Sequence, residues 1–281
     1  MWFSAKTLVA VDTRSAAVAV FKDSLRGPRL ERFASERFAS KARMESLFSD
    51  VLSDSRDALE RLGRELNAPS DDLTLILPLG AAFPAILDAA ALKRGGVADV
   101  GEDEMARFRL APLLPFSVAL ADVQTERCDG GRGGILAQAV LKTLVNEGRA
   151  VLSSLGYRRV RVTSALSCAL RGLEPNPRAV DLIYGDSACA IAVRGARGFV
   201  ESVHLRLLLE GEDREQRALD EAFRAASPIA ELRVAGSFLD GLRRKAGDLN
   251  VTAAFPNCGP GSVPDAQTYP FLAVFAGGAR R

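Results

Sequence analysis

Histidine is almost missing from this chain of 281 residues, with His204 the only one. It ends an expected strand with no Ser or Cys motif near it, so a Ser-His-Asp type of site has little support. Cysteine is sparse too. Cys128, Cys168, Cys189 and Cys258 lie far apart, with no CxxC pair and no neighbouring histidine, which argues against a zinc site and leaves no metal site expected. Cys168 and Cys189 sit among small apolar residues and read as buried packing groups. Charge of one sign is also lacking: 37 Lys and Arg nearly balance 35 Asp and Glu, and the arginines are scattered beside acids rather than gathered in a run. Nucleic acid is therefore not the expected partner. No stretch approaches the roughly 18 apolar residues of a membrane span, and Asp12 and Arg14 interrupt the apolar N-terminal segment before it could act as a signal sequence. The expected location is cytoplasmic.

What is present is an alternation of strands and helices long enough for two medium domains, the pattern of an α/β fold. A strand–turn–strand with an acidic turn opens the chain at 7–21, and a second recurs at 180–194. Two such hairpins suggest two equivalent lobes, with an acidic or hydroxyl side chain from each turn at the cleft between them, where turn amides could meet phosphate. Between the hairpins, leucines at a 3.6-residue spacing predict an amphipathic helix over 45–66, followed by a buried strand, Leu73–Leu77, closed by Pro78. Proline at 112 and 115 rules out a long helix through 102–124, and a strand is expected over 118–123. Gly-rich 128–134 reads as a flexible hairpin turn, since no Gly-Lys-Ser/Thr follows it to make a phosphate loop. A second helix is expected over 138–155 with Gly156 at its C-cap, then a strand at 160–162 and a helix at 164–173. Beyond the second hairpin come a charged helix over 213–226, a strand at 231–235 and a helix opened by Gly236-Ser237, a strand-to-helix turn that lets a ligand approach backbone N–H groups.

In this order the parts resemble the actin-like superfamily, and within it the PilM family of type IV pilus assembly proteins and the cytoplasmic domain of the GspL family of type II secretion. Val9-Ala-Val-Asp12-Thr-Arg-Ser resembles the first phosphate motif, and Phe108 to Gln124 resembles the family's Pro-Phe segment running into an Asp-Tyr-Gln strand. Leu182-Ile-Tyr-Gly-Asp-Ser is similar to the second phosphate hairpin, with Tyr184 at the acidic position or, in a shifted register, Asp181. Val234-Ala-Gly236-Ser237 is similar to the adenosine-motif turn, and the apolar segment from Pro270 to the closing helix.

The resemblance implies an actin-like, ribonuclease H-like duplicated fold. Its first lobe would span 1–160 with an inserted subdomain at about 80–135, and its second 161–281. Arg14 stands where the first phosphate hairpin carries glycine, and Gly236-Ser237 replaces a double glycine, which points to a scaffold rather than an enzyme. Such a scaffold would sit at the inner-membrane face, reach the membrane only through its partner, and dock the N-terminal tail of a PilN-like membrane protein. A motor ATPase and a homo-oligomer are further partners of that class. Phe108, Leu114, Pro115 and Phe116 are the residues expected to line the groove for that tail, or else to pack in a core. The alternative is an ATP-binding switch or slow ATPase, with Asp12 and Asp186 holding Mg²⁺ through water, and Ser15, Ser187, Gly236, Ser237 and the turn amides holding ATP. A sugar or acetate kinase of the same superfamily is disfavoured by the short second lobe.

Overall fold

Small and β-branched residues alternate through both hairpins, and each forms an antiparallel ladder. The computed structural model describes residues 5–22, 29–49, 54–65, 67, 72–87, 101–127, 134–236 and 239–254. In it β1 (Ala5–Asp12) pairs with β2 (Ser15–Lys22) from Ala5↔Lys22 to Asp12↔Ser15. Strand β3 (Arg29–Arg37) adds to β2, while β4 (Leu73–Leu77) and β8 (Val160–Ser164) continue the sheet in parallel on the other side. The order is β3-β2-β1-β4-β8.

The second half builds the same sheet again. Strands β9 (Ala179–Tyr184), β10 (Ala188–Arg194) and β11 (Val200–Leu207) are antiparallel, and β12 (Glu231–Gly236) and β13 (Asn250–Ala253) follow in parallel, giving β11-β10-β9-β12-β13. Order and strand senses match the first sheet, so the duplication is one of topology. A third sheet, β5 (Ala82–Leu87), β7 (Ile135–Leu141) and β6 (Ala121–Arg127) in the order β5-β7-β6, lies in sequence between β4 and β8. Ala106 and Leu110 of a short helix, here α2 (Glu102–Leu110), share the core of this sheet with Ala121, Val123, Ile135 and Ala137. Strand β8, at the expected boundary of the lobes, belongs to the first sheet through its pairing with β4.

Helices cover the outer faces of the two large sheets. Leu59 and Leu62 of α1 (Asp54–Glu65) and Val145 of α3 (Lys142–Ser154) pack with Val9, Val11 and Val18. On the second sheet, Leu219 of α5 (Arg214–Ala225) and Leu242 of α6 (Leu239–Lys245) pack with Leu182, Cys189 and Ile191. The opposite faces share one core with α4 (Ala165–Gly172), and there the strands present alanine: Ala17 and Ala19 from β2, Ala188, Ala190 and Ala192 from β10.

Three sequence expectations shift. The helix predicted over 45–66 starts at Asp54, because Leu47 and Phe48 are both buried in the turn before it and adjacent residues cannot share one helix face. Residues 138–141, expected as helix, extend β7, which has ladder partners on both sides, and the helix begins at Lys142. Residues 118–120 form a short 3-10 turn capped by Ser117, so β6 starts at Ala121. The segments 128–133 and 255–281 lie outside the described residues, as do Cys128 and Cys258.

Within the second sheet, Asp181 carries an ion-pair triad. Arg194 Nε donates to its Oδ2 at 2.6 Å and Arg233 Nε to its Oδ1 at 2.7 Å, with all three residues buried. The guanidiniums also donate to the carbonyls of Gly198 and Glu174. Removing the shared carboxylate leaves two buried cations unmatched, which costs about 3–5 kcal/mol. Urea unfolding of Asp181→Asn should therefore show a loss of that size, whereas Arg61→Ala, which breaks an exposed pair with Glu36, should leave the unfolding midpoint almost unchanged.

Candidate functional site

The alanine faces of the shared core bring the tips of the two hairpins together, and the first tip supplies a carboxylate at its last ladder pair, Asp12↔Ser15. In the second hairpin the Gly185 N–H donates to the Ala188 carbonyl at 2.9 Å, with Asp186 and Ser187 at the tip. Gly185 thus stands where the first hairpin has Asp12. The two turns are asymmetric, and Asp12 fills the space that the missing side chain leaves. A Cβ on Gly185 would lie 3.1 Å from Asp12 Oδ2 and 3.3 Å from Leu79 Cδ1.

Asp12 is the hub of the contact. Its Oδ1 accepts from the Thr13 N–H at 2.7 Å and from the Ser187 hydroxyl at 3.3 Å; its Oδ2 accepts from the Asp186 N–H at 3.1 Å. The Ser15 hydroxyl donates to Asp186 Oδ2 at 3.3 Å. Burial, and then the negative charge of Asp186, push the Asp12 carboxyl up to about 6, although the hydrogen bonds from the Thr13 and Asp186 amides and the Ser187 hydroxyl pull the other way. On the side of Asp186, Arg214 donates to the Gly185 and Asp186 carbonyls and its guanidinium lies 5.8 Å over the Tyr184 ring.

Asp12, Ser15, Asp186 and Ser187 therefore meet in one contact. Gly236 ends β12 opposite Tyr184 in the ladder, next to the second hairpin. Ser237 lies outside the described residues. Neither acidic register of the second hairpin reaches the cleft: Tyr184 is in the core of the second sheet and Asp181 is held by its two arginines. Among the docking residues, Phe108 is 75% exposed on α2 and Pro115 is exposed, while Leu114 and Phe116 are half-buried against the third sheet, Phe116 edge-on to Phe83 at 5.4 Å between centroids. Leu113, 60% exposed, and Leu120, 57% exposed, are further large apolar side chains open to solvent in the same segment. They carry no local signal in sequence, since the same segment supplies the core-facing Leu114 and Phe116.

Neither a protein-family model nor a curated protein sequence matches the chain. Solved structures do. A Bacteroides thetaiotaomicron protein with an actin-like ATPase fold superposes at a TM-score of 0.58 with 11% identity, over 95% of each chain. The fold is actin-like. A PilM–PilN type IV pilus biogenesis complex matches this actin-like chain at 0.61 with 16% identity over 96% of each chain. The cytoplasmic domain of EpsL, an inner-membrane component of the type II secretion system of Vibrio cholerae, matches at 0.52 with 10% identity over 98% of this chain and 94% of that one.

An actin-like nucleotide site needs turn amides and hydroxyls turned to a phosphate chain, with carboxylates for Mg²⁺. Here the Asp186 amide and the Ser187 hydroxyl are donated to Asp12, and the Ser15 hydroxyl to Asp186. With the residues arranged this way, a phosphate would have to part the turns to reach these donors.

A carboxyl raised above its unfolded value near 3.8 binds its proton more tightly in the folded state, so its ionisation destabilises the fold as pH climbs from about 4 to 6. Wild-type stability should fall across that window by on the order of 2–3 kcal/mol from this group. Thermal melts of Asp12→Ala over the same range should lack that part of the slope; an unchanged slope would place the titration elsewhere. Lys41 and Lys245 hold the carboxyls of Glu210 and Asp213 below their ordinary range.

Proposed function

We propose that this chain is a non-catalytic actin-like component of an inner-membrane assembly platform of the type IV pilus or type II secretion class, docking the cytoplasmic tail of a PilN-like membrane protein. The observation that carries the non-catalytic part is the Asp12 contact, which engages the donors of both turns within the protein. Docking rests on the exposed apolar set Phe108, Leu113 and Leu120 beside the third sheet, in a chain whose structural neighbours include a PilM–PilN complex. In this reading the two large sheets are two lobes and the third sheet is a subdomain inserted in the first. Attachment to the membrane runs through the partner.

A tail peptide laid on that surface would bury Phe108 and its neighbours, and aromatic anchors of this kind commonly cost more than 2 kcal/mol of binding when lost. The Phe108→Glu/Leu113→Glu pair should abolish capture of a synthetic peptide carrying the cytoplasmic tail of a PilN-like membrane protein from the same organism, with an unchanged melting temperature. Retained capture would remove this surface from the docking role. Phe116→Glu should instead lower the melting temperature, because it buries a charge against Phe83.

The second reading is an ATP-dependent switch, favoured by the two carboxylates Asp12 and Asp186 at one cleft. Steady-state phosphate release with ATP and Mg²⁺ separates the two: the scaffold gives a rate equal in wild type and Asp12→Ala. A rate that the substitution removes would establish the switch.

A further inference from the structure

Beside the turn contact lie two cavities. One, of about 240 Å³, is lined by residues that include Arg14, Lys41, Asp186, Glu210 and Arg214. The other, of about 390 Å³, is lined by Arg14, Arg37, Phe38, Ala39, Ser40 and Lys41, with three cations and no carboxylate. Arg14 and Lys41 border both.

Arg14 of the first turn and Lys41 from the segment after β3 already hold an anion. The Glu210 carboxylate, from the loop after β11, receives Lys41 Nζ at 3.0 Å and Arg14 at 3.6 Å. The Lys41 hydrogen bond and charge, joined by Arg14, hold that carboxyl below its ordinary range. The pair thus crosses from the second sheet's half of the chain to the first, while Arg37 and Ser40 extend the positive surface beyond it. Arg14 occupies the turn position where a glycine would leave room for a phosphate between the hairpins, so its charge is displaced to the outside of the contact.

We propose that these cavities form a binding site for a small phosphate-bearing anion, held by Arg14, Arg37 and Lys41 on the outer side of the turns, with Glu210 as its built-in competitor. The site needs no parting of the turns and no metal, since side-chain cations supply all the charge. Guanidinium and ammonium groups gathered around one cavity suit a pyrophosphate-like dianion better than a single carboxylate.

Calorimetry of the whole chain with inorganic pyrophosphate, without Mg²⁺, tests it. Binding should weaken with rising salt. Glu210→Gln should tighten it about fivefold by removing the competitor, and Arg14→Ala or Lys41→Ala should weaken it about tenfold or more. Absence of heat at millimolar pyrophosphate in both wild type and Glu210→Gln would overturn the proposal. So would binding that requires Mg²⁺ and is lost in Asp12→Ala, which would return the phosphate to the turns and also displace the scaffold reading. Vesicles of phosphatidylglycerol form the last arm: binding to them without binding to pyrophosphate would overturn the small-molecule site in favour of a lipid headgroup. Loss of tail capture by the Phe108 surface leaves all of these outcomes untouched.

Discussion

The close approach of two alanine-faced hairpins is the constraint on which the centre of this molecule depends. On β2 the residues turned to the shared core are Ala17 and Ala19, with Phe21 at the end of the strand away from the turn, and on β10 they are Ala188, Ala190 and Ala192; the larger Val18, Cys189 and Ile191 go to the outer faces under helices. Small side chains on the inner faces let the two backbones and α4 pack in one core at the density of a protein interior. Larger residues there would hold the sheets apart. The outer faces have no such restriction, because a helix adjusts its distance to whatever the strand presents.

That closeness makes the turn contact inevitable and asymmetric. Two tips carrying acidic residues cannot both place a carboxylate at the point of contact, since like charges in a buried site raise each other's proton affinity. One hairpin supplies Asp12 and the other yields with Gly185, turning its amide and the Ser187 hydroxyl toward the carboxylate. The duplication therefore persists in topology but not in chemistry. Asp186 remains as a second carboxylate, and burial, together with its charge, keeps the Asp12 carboxyl near 6 despite the hydrogen bonds it accepts.

The hairpins were legible in sequence because their period-2 alternation and polar turns are local signals, and so were helices such as α5, opened by the Asp213 cap. The third sheet was legible only in part: a strand was expected over 118–123, where β6 begins, but β5 and β7 pair with each other across all of α2 and β6, and the apolar content of 138–141 fits a helix as well as a strand. Of the site, Asp12, Ser15, Asp186 and Ser187 could be named from the turns, but their mutual hydrogen bonding could not, since it depends on a separation of 174 residues being closed by the core. Lys41 and Glu210 had no signal at all: each is an ordinary loop charge until the fold places them 3.0 Å apart.

The third sheet also bears on whether the molecule is built to hold a geometry or to cycle between two. Strand β5 runs against β11 of the second sheet, and Ile86 and Leu136 join the core shared by both halves, together with Val200, Val203 and Leu205. At the base of β7, Gly134 lets the chain pass so near Ile86 and the Leu87 carbonyl that a Cβ would lie within 2.6 Å and 3.2 Å of them. The sheet that carries Phe116, Leu114 and the exposed apolar set is thus anchored to the second half of the chain as well as to the strands from which it is inserted. Opening the cleft would have to break this apolar contact as well as the Asp12 hydrogen bonds and the Glu210 ion pairs. The apolar contact and the buried Asp12 hydrogen bonds together favour a fixed relation between the halves, so that a surface mounted on both is presented in one orientation.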